Sequence, residues 1–276
     1  MKILITGATG FLGRSLREHY EKNHRVIVWG RHSSNPASAV AWEKPDLVIN
    51  CAGEIYDAAT MYDANVGIVN DFLNGIKNNS PSTRFITIGS SSEYGKADHP
   101  TSERDMINPV DVYQATKGAA TLLCQGYARQ FGIQTLVARI YSGYGAYEKS
   151  HRLFPRLYSA FFEDKEMTLF DGVHDFIYID DFIRGIDTVL EHPWPAGEIV
   201  NFGSGISYTN LEVLQAWEKI TGRSAPVKYE PRLNKAFESA VWQCDPQYAL
   251  DKYQFKTLIS LEQGIERFIK TKQGIL

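Results

Sequence analysis

Three cysteines in 276 residues are too few and too scattered to organise this chain. Cys51, Cys124 and Cys244 lie far apart and form no CxxC pair, so neither a disulfide framework nor a zinc cluster is indicated. There is no excess of basic charge. Lys and Arg number 29 against 32 Asp and Glu, a net charge of -3, which argues against nucleic acid as a partner. No apolar run approaches the ~20 residues that cross a bilayer, so no membrane partner is expected. A glycine-rich stretch is reached by Gly7, which leaves no room for a signal peptide and places the chain, by expectation, in the cytoplasm. Internal repeats and low-complexity segments are also missing. What is present is 43% hydrophobic and 22% charged residues, enough to bury a large core.

The apolar residues come in short runs. Residues 2–6, 25–29, 46–52, 84–89 and 134–141 are each too short for a helix and read as buried parallel strands. Between them, 11–22, 60–78 and 111–131 carry helical spacing, with Leu12, Leu16 and Tyr20 on one face of the first. A short strand is expected at 39–42, and the region between the second and third strands is short of one or two crossover helices. The alternation predicts an α/β fold, a Rossmann-type doubly wound parallel sheet over residues 1–145. After residue 145 the pattern loosens. Helices are expected at 152–163, 180–191, 209–221 and 260–271, with one strand, 198–202, returning to the sheet. Residues 146–276 are read as a smaller, mainly substrate-binding α/β domain over the carboxyl ends of the strands.

Thr6-Gly7-Ala8-Thr9-Gly10-Phe11-Leu12-Gly13 joins the first strand to the first helix. Gly7 suits a tight turn, Gly10 the approach of a pyrophosphate, and Gly13 close packing of helix on strand, all at a helix N-terminus that attracts phosphate. The stretch therefore predicts a dinucleotide site. The second strand ends in Trp29-Gly30-Arg31-His32, without the acid that would hold a ribose 2′-hydroxyl. Arg31 suits a 2′-phosphate, so NADP(H) is expected ahead of NAD(H).

Tyr113 and Lys117 stand one helical turn apart on one face, where an ammonium can lower a phenol's pKa and fit it for proton transfer. The strand upstream ends in Ser90-Ser91-Ser92, hydroxyls that could hold a substrate oxygen against Tyr113. Asp180-Asp181 reads as a helix N-cap, and no metal site is expected.

TGATGFLG (6–13), DLVINCAG (46–53), FITIGSSSEYG (85–95), YQATK (113–117), ARIYSGYG (138–145), HDFIYIDD (174–181) and LISLEQGI (258–265) together resemble the extended short-chain dehydrogenase/reductase family, in its nucleotide-sugar-modifying branch. The resemblance implies Tyr113 as acid/base, Lys117 as its partner and ribose anchor, and Ser90, with Ser91 as runner-up, on the reacting oxygen. It further implies cofactor contacts at Gly7, Thr9, Gly10, Phe11, Leu12, Gly13, Arg31, Ala52, Gly53 and Tyr141, while Tyr144, which could border the cofactor, reads rather as a packed strand-end residue. Substrate contacts are implied at Ser91, Ser92, Ser142 and His151, and pairing as a homodimer through helices 60–78 and 111–131. Ser91 and Ser92 replace the Asp-Glu pair of the sugar 4,6-dehydratases, which argues against dehydration, and Ser92 replaces the cysteine of GDP-fucose synthase. His174 stands where the family has arginine. The reading reached is an NADPH-dependent reductase of a nucleotide-linked 4-keto-6-deoxy sugar. The alternatives are an NAD-dependent nucleotide-sugar 4-epimerase and a non-catalytic dinucleotide-sensing protein.

Overall fold

The computed structural model describes residues 1–30, 35–231 and 241–275. A six-stranded sheet is built from β1 (Lys2–Thr6), β2 (Arg25–Trp29), β3 (Leu47–Asn50), β4 (Arg84–Ser90), β5 (Thr135–Ile140) and β9 (Glu198–Phe202), in the order β2-β1-β3-β4-β5-β9. Every pairing in it is parallel. Parallel neighbours need crossovers, and these are α1 (Phe11–Tyr20), α2 (Pro36–Glu43), a helix running from Ala58 to Asn79, and α5 (Val112–Phe131). They cover both faces, so Ile3, Leu4, Ile5, Leu47, Val48 and Ile49 are all fully buried, which is why these strands read as unbroken apolar runs. The chain moves outward from β1 to β2 and then back to β3. That reversal opens a crevice at the carboxyl ends of β1 and β3.

Two elements differ from expectation here. Residues 39–42 are not a strand but part of α2, which Asn35 caps by accepting from the Ala37 N–H at 2.8 Å, with Pro36 in the first turn. Gly75 lets α2 come close: a Cβ there would lie 2.6 Å from Ala37 Cα. The expected helix 60–78 is three pieces, α3 (Ala58–Tyr62), a π-helical turn (Asp63–Gly67) and α4 (Ile68–Asn79). The wide turn carries the buried Asn65, whose amide donates to Glu54 O and Thr116 Oγ1, both at 2.9 Å.

Beyond β5, the expected helices are α6 (Leu153–Phe162), α7 (Ile179–Leu190), α8 (Asn210–Thr221) and α10 (Leu261–Lys272), and the strand at 198–202 is β9. Sequence reading misses β6 (Ser142–Tyr144), β7 (Met167–Phe170), β8 (Val173–Tyr178), β10 (Ser207–Thr209), β11 (Val227–Glu230) and α9 (Gln247–Tyr253). These strands have three to six residues and form a three-stranded sheet, β10-β8-β6, and a two-stranded one, β11-β7; outside β8, few of their positions are buried. Asp175 on β8 ties this part together. Its fully buried carboxylate accepts from Ser204 N–H and hydroxyl, Gly205 N–H and Cys244 N–H at 2.6 to 2.9 Å, and burial pushes its pKa up to about 6 despite those donors. Asp180 and Asp181 lie in the first turn of α7, and the cap position itself is Tyr178. Asp181 instead accepts from Leu258 and Ile259 N–H at 2.9 and 2.8 Å.

Gly7 has φ +62°, and a Cβ on it would sit 2.7 Å from the Cys51 carbonyl carbon and oxygen. Gly7→Ala should therefore cost at least about 2 kcal/mol in denaturant or thermal unfolding. Gly126, on α5 with open space beyond its own helix where a Cβ would point, offers the opposite sign: Gly126→Ala should stabilise by about 0.5–1 kcal/mol. Equal effects of the two substitutions would contradict this reading of the β1–α1 turn.

Candidate active site

The crevice opens into a cleft of about 440 Å³. Gly10, Phe11, Leu12 and Gly13 line one side of it. The turn that presents them closes with Gly10 N–H donating to Gly7 O at 2.9 Å, and a Cβ on Gly13 would approach Gly7 O to 2.2 Å. No side chain caps α1 and no acid stands in its first turn, so its leading N–H groups face the cleft unclaimed by a carboxylate. This fits a dinucleotide pyrophosphate. Ala52 and Gly53 follow on the opposite wall. The Ala52 N–H donates to Thr6 Oγ1 at 3.0 Å, within a buried Thr6–Asn50–Thr87 chain that ties the strand tips together. Cys51 also lines the cleft, its thiol pushed up to about 12 by burial.

Ser90, Ser91, Ser92, Tyr113 and Lys117 meet in the same cleft. Ser90 ends β4 and caps a 3-10 turn, Ser91–Tyr94, and its Oγ lies 2.7 Å from Ser92 Oγ. Asp111 starts α5 by accepting from Gln114 N–H at 2.8 Å, which sets Tyr113 and Lys117 one turn apart. Burial raises the pKa of the Tyr113 phenol, while a hydrogen bond with Ser90 and the charge of Arg152 draw it down. The direction is opposite to the expected lowering by Lys117. The main reason is burial of the phenol; the Lys117 ammonium donates to Ile88 O at 2.6 Å, and it is Arg152 whose charge opposes the rise. Burial lowers the pKa of Lys117, opposed chiefly by the Glu93 carboxylate.

The far wall comes from the chain after β5. Ser142 lies in the cleft with its Oγ 3.4 Å from His174 Nδ1, and Trp242 stands beside them. His151 meets Tyr56 across the opening, Nε2 to phenol oxygen 2.6 Å, with the rings edge to face. Glu148, buried at the wall, holds Arg152 Nε at 3.4 Å with one oxygen. Its other oxygen has no hydrogen-bond partner among the described residues, and burial raises the acid to about 7. Tyr141 lines the cleft but spends its hydroxyl on Thr101, 2.5 Å from Oγ1. Thr9 is exposed and does not border the cleft, and Tyr144 is a core residue stacked on Phe154. Arg31 lies outside the described residues. Sequence reading misses Tyr56, Glu148, Lys149, Arg152 and Trp242 on this wall. The charged run Glu148-Lys149-Ser150-His151-Arg152 beside a strand end was the available signal.

Such a cleft can bind a dinucleotide along α1 and present a second molecule's hydroxyl or carbonyl to Ser90 and Tyr113. Comparison with known proteins agrees. The model of the "NAD dependent epimerase/dehydratase family" matches residues 3–203. The Bacillus subtilis UDP-glucose epimerase YtcB, itself uncharacterized, is 27% identical over 96% of both chains. A UDP-glucuronate 4-epimerase of Thermodesulfobacterium geofontis is 29% identical over 70% of this chain and 60% of its own. The crystal structure of UDP-glucuronic acid 4-epimerase from Bacillus cereus, in complex with UDP-glucuronic acid and NAD, superposes over the whole of both chains with a TM-score of 0.88 at 25% identity. This chain therefore belongs to the NAD dependent epimerase/dehydratase family, in the nucleotide-sugar-modifying branch of the extended short-chain dehydrogenase/reductases, and is an NAD(P)-dependent oxidoreductase of that type.

Proposed function

We propose that the protein is a 4-epimerase of a UDP-linked sugar that works with a retained NAD. The observation that carries this reading is the meeting of Ser90, Tyr113 and Lys117 with an uncapped α1 N-terminus in one cleft, in a chain whose full-length relatives include UDP-sugar epimerases. A bound NAD would supply the reversible hydride acceptor for the sugar carbon. The rest of the work falls to this chain. Gly10 to Gly13 hold the pyrophosphate, and Lys117 holds the ribose. Ser90 binds the sugar's 4-oxygen. Tyr113 takes that hydroxyl's proton during oxidation and restores it after the keto sugar has presented its other face. Ser91 and Ser92 supply no acid–base pair, so elimination of water is not part of the reaction. Lys149, His151 and Arg152 line the cleft together with Glu148, and Arg152, whose charge reaches the Tyr113 phenol, suits an anionic sugar such as a uronate. Two copies are proposed to pair through the α4 and α5 region, where Leu122 and Phe131 are exposed.

The second reading, an NADPH-dependent reductase of a 4-keto-6-deoxy sugar, is favoured by one feature: Gly30-Arg31-His32 places no carboxylate after β2. Cofactor retention separates the two. Protein denatured after purification should release about one NAD per chain, and without added cofactor it should convert UDP-glucose or UDP-glucuronate to the 4-epimer. Protein that arrives empty and oxidises added NADPH with a 4-keto-6-deoxy nucleotide sugar would establish the reductase instead.

Tyr113→Phe should leave the fold and the bound dinucleotide in place while lowering turnover by ~10²–10⁴-fold. Lys117→Met should lower turnover and also empty the dinucleotide site. A folded Tyr113→Phe protein with unchanged turnover would remove Tyr113 from the chemistry.

A further inference from the structure

Beneath the catalytic serine lies a carboxylate with no assigned role. Glu93 is fully buried. Its Oε1 accepts the Ser90 backbone N–H at 2.8 Å. Its Oε2 accepts Arg139 Nε at 2.9 Å and the Thr121 hydroxyl at 2.6 Å. Its own carbonyl accepts the Asn108 N–H at 2.9 Å. The carboxylate fits because residue 89 is glycine: a Cβ there would lie 2.8 Å from Glu93 Oε1. Arg139 on β5 is as deeply buried, at 2% exposure, so neither charge has water to lean on.

We propose that Glu93 is a positioning residue of the reaction centre, one oxygen fixing the Ser90 backbone and the other locking it to β5 and to the helix that carries Tyr113 and Lys117. Thr121 stands one turn beyond Lys117 on α5, so a single carboxylate sets the spacing between the serine and the phenol. Its charge acts in the same place. It favours the protonated forms of both Tyr113 and Lys117, which keeps the lysine cationic in a buried site. The inference rests on the proposed roles of Ser90 and Tyr113.

Glu93→Leu combined with Arg139→Met removes both charges at similar volume, a replacement that buried pairs often tolerate. The folded double variant should exchange the Ser90 amide hydrogen at least about tenfold faster, with Ile86 and Ile88 unchanged. Amide exchange reads the positioning whether or not the sugar assignment is right. With UDP-glucose and UDP-glucuronate as probes, kcat should fall by about 10²-fold, the scale of a small misplacement. KM should stay within about twofold, and the limb of the pH profile assigned to Tyr113 should move toward acid. Glu93→Asp, which keeps the charge, should recover part of the loss. A folded double variant with native Ser90 exchange, or one that loses turnover with no movement of the pH limb, would overturn the proposal. Native turnover in Tyr113→Phe would overturn the chemistry on which it rests.

Discussion

The buried ion pair between Glu93 and Arg139 is the constraint around which the reaction centre is built. Two opposite charges withdrawn from water are costly, and they become tolerable only when every remaining lone pair and proton is matched. Glu93 meets that condition with Ser90, Thr121 and Arg139, and Arg139 stacks its guanidinium 4.5 Å from the centroid of the Tyr94 ring. Removing either partner alone strands a charge. The arrangement therefore contributes geometry more than net stability, because one carboxylate ties the end of β4 to β5 and to α5.

Where the sheet reverses direction, the same economy of space recurs. Gly7 and Gly13 are crowded by backbone, so β1, α1 and the segment after β3 close around a turn too tight for side chains. Leaving α1 without a side-chain cap keeps its N–H groups for a ligand. Opposite, the π-helical turn at residues 63–67 swings Asn65 in to accept the Glu54 N–H at 2.9 Å. Glu54 in turn holds the Tyr56 N–H at 2.9 Å, and Tyr56 reaches His151 across the opening. A local irregularity in one helix thus sets the rim of the cleft.

Much of this was legible in the sequence where the physics is local. The buried strands show as apolar runs, the glycine turn as spacing, and Tyr113 with Lys117 as one helical step. The 39–42 run failed as a strand because Ala39 and Val40 are buried against α4, whose Gly75 lets α2 come close. The Tyr113 environment also eluded local reasoning. Lys117 is the sequence neighbour, but the cation acting on the phenol comes from Arg152 in a distant loop. Glu93 reads as one acid in a serine-rich stretch, because Thr121 and Arg139 are 28 and 46 residues away. The three- and four-residue strands β6, β10 and β11 lack two-sided burial and so lack the signature that marks the main sheet. Of the function, the family, the dinucleotide and the nucleotide-sugar class followed from motifs in order. The preference for reduction rested on Arg31 and the missing acid after the second strand, and relatives named as UDP-sugar epimerases weigh against it.

The central claim is that the hydrogen on the sugar carbon leaves and returns within one cleft, while Tyr113 handles only the proton of the oxygen. Deuterium placed at C4 of UDP-glucuronate or UDP-glucose tests this most directly, with the epimeric product isolated and examined by mass spectrometry and NMR. The account predicts that the product keeps its deuterium at C4 even when formed in ordinary water. Product carrying solvent hydrogen at C4 would contradict it.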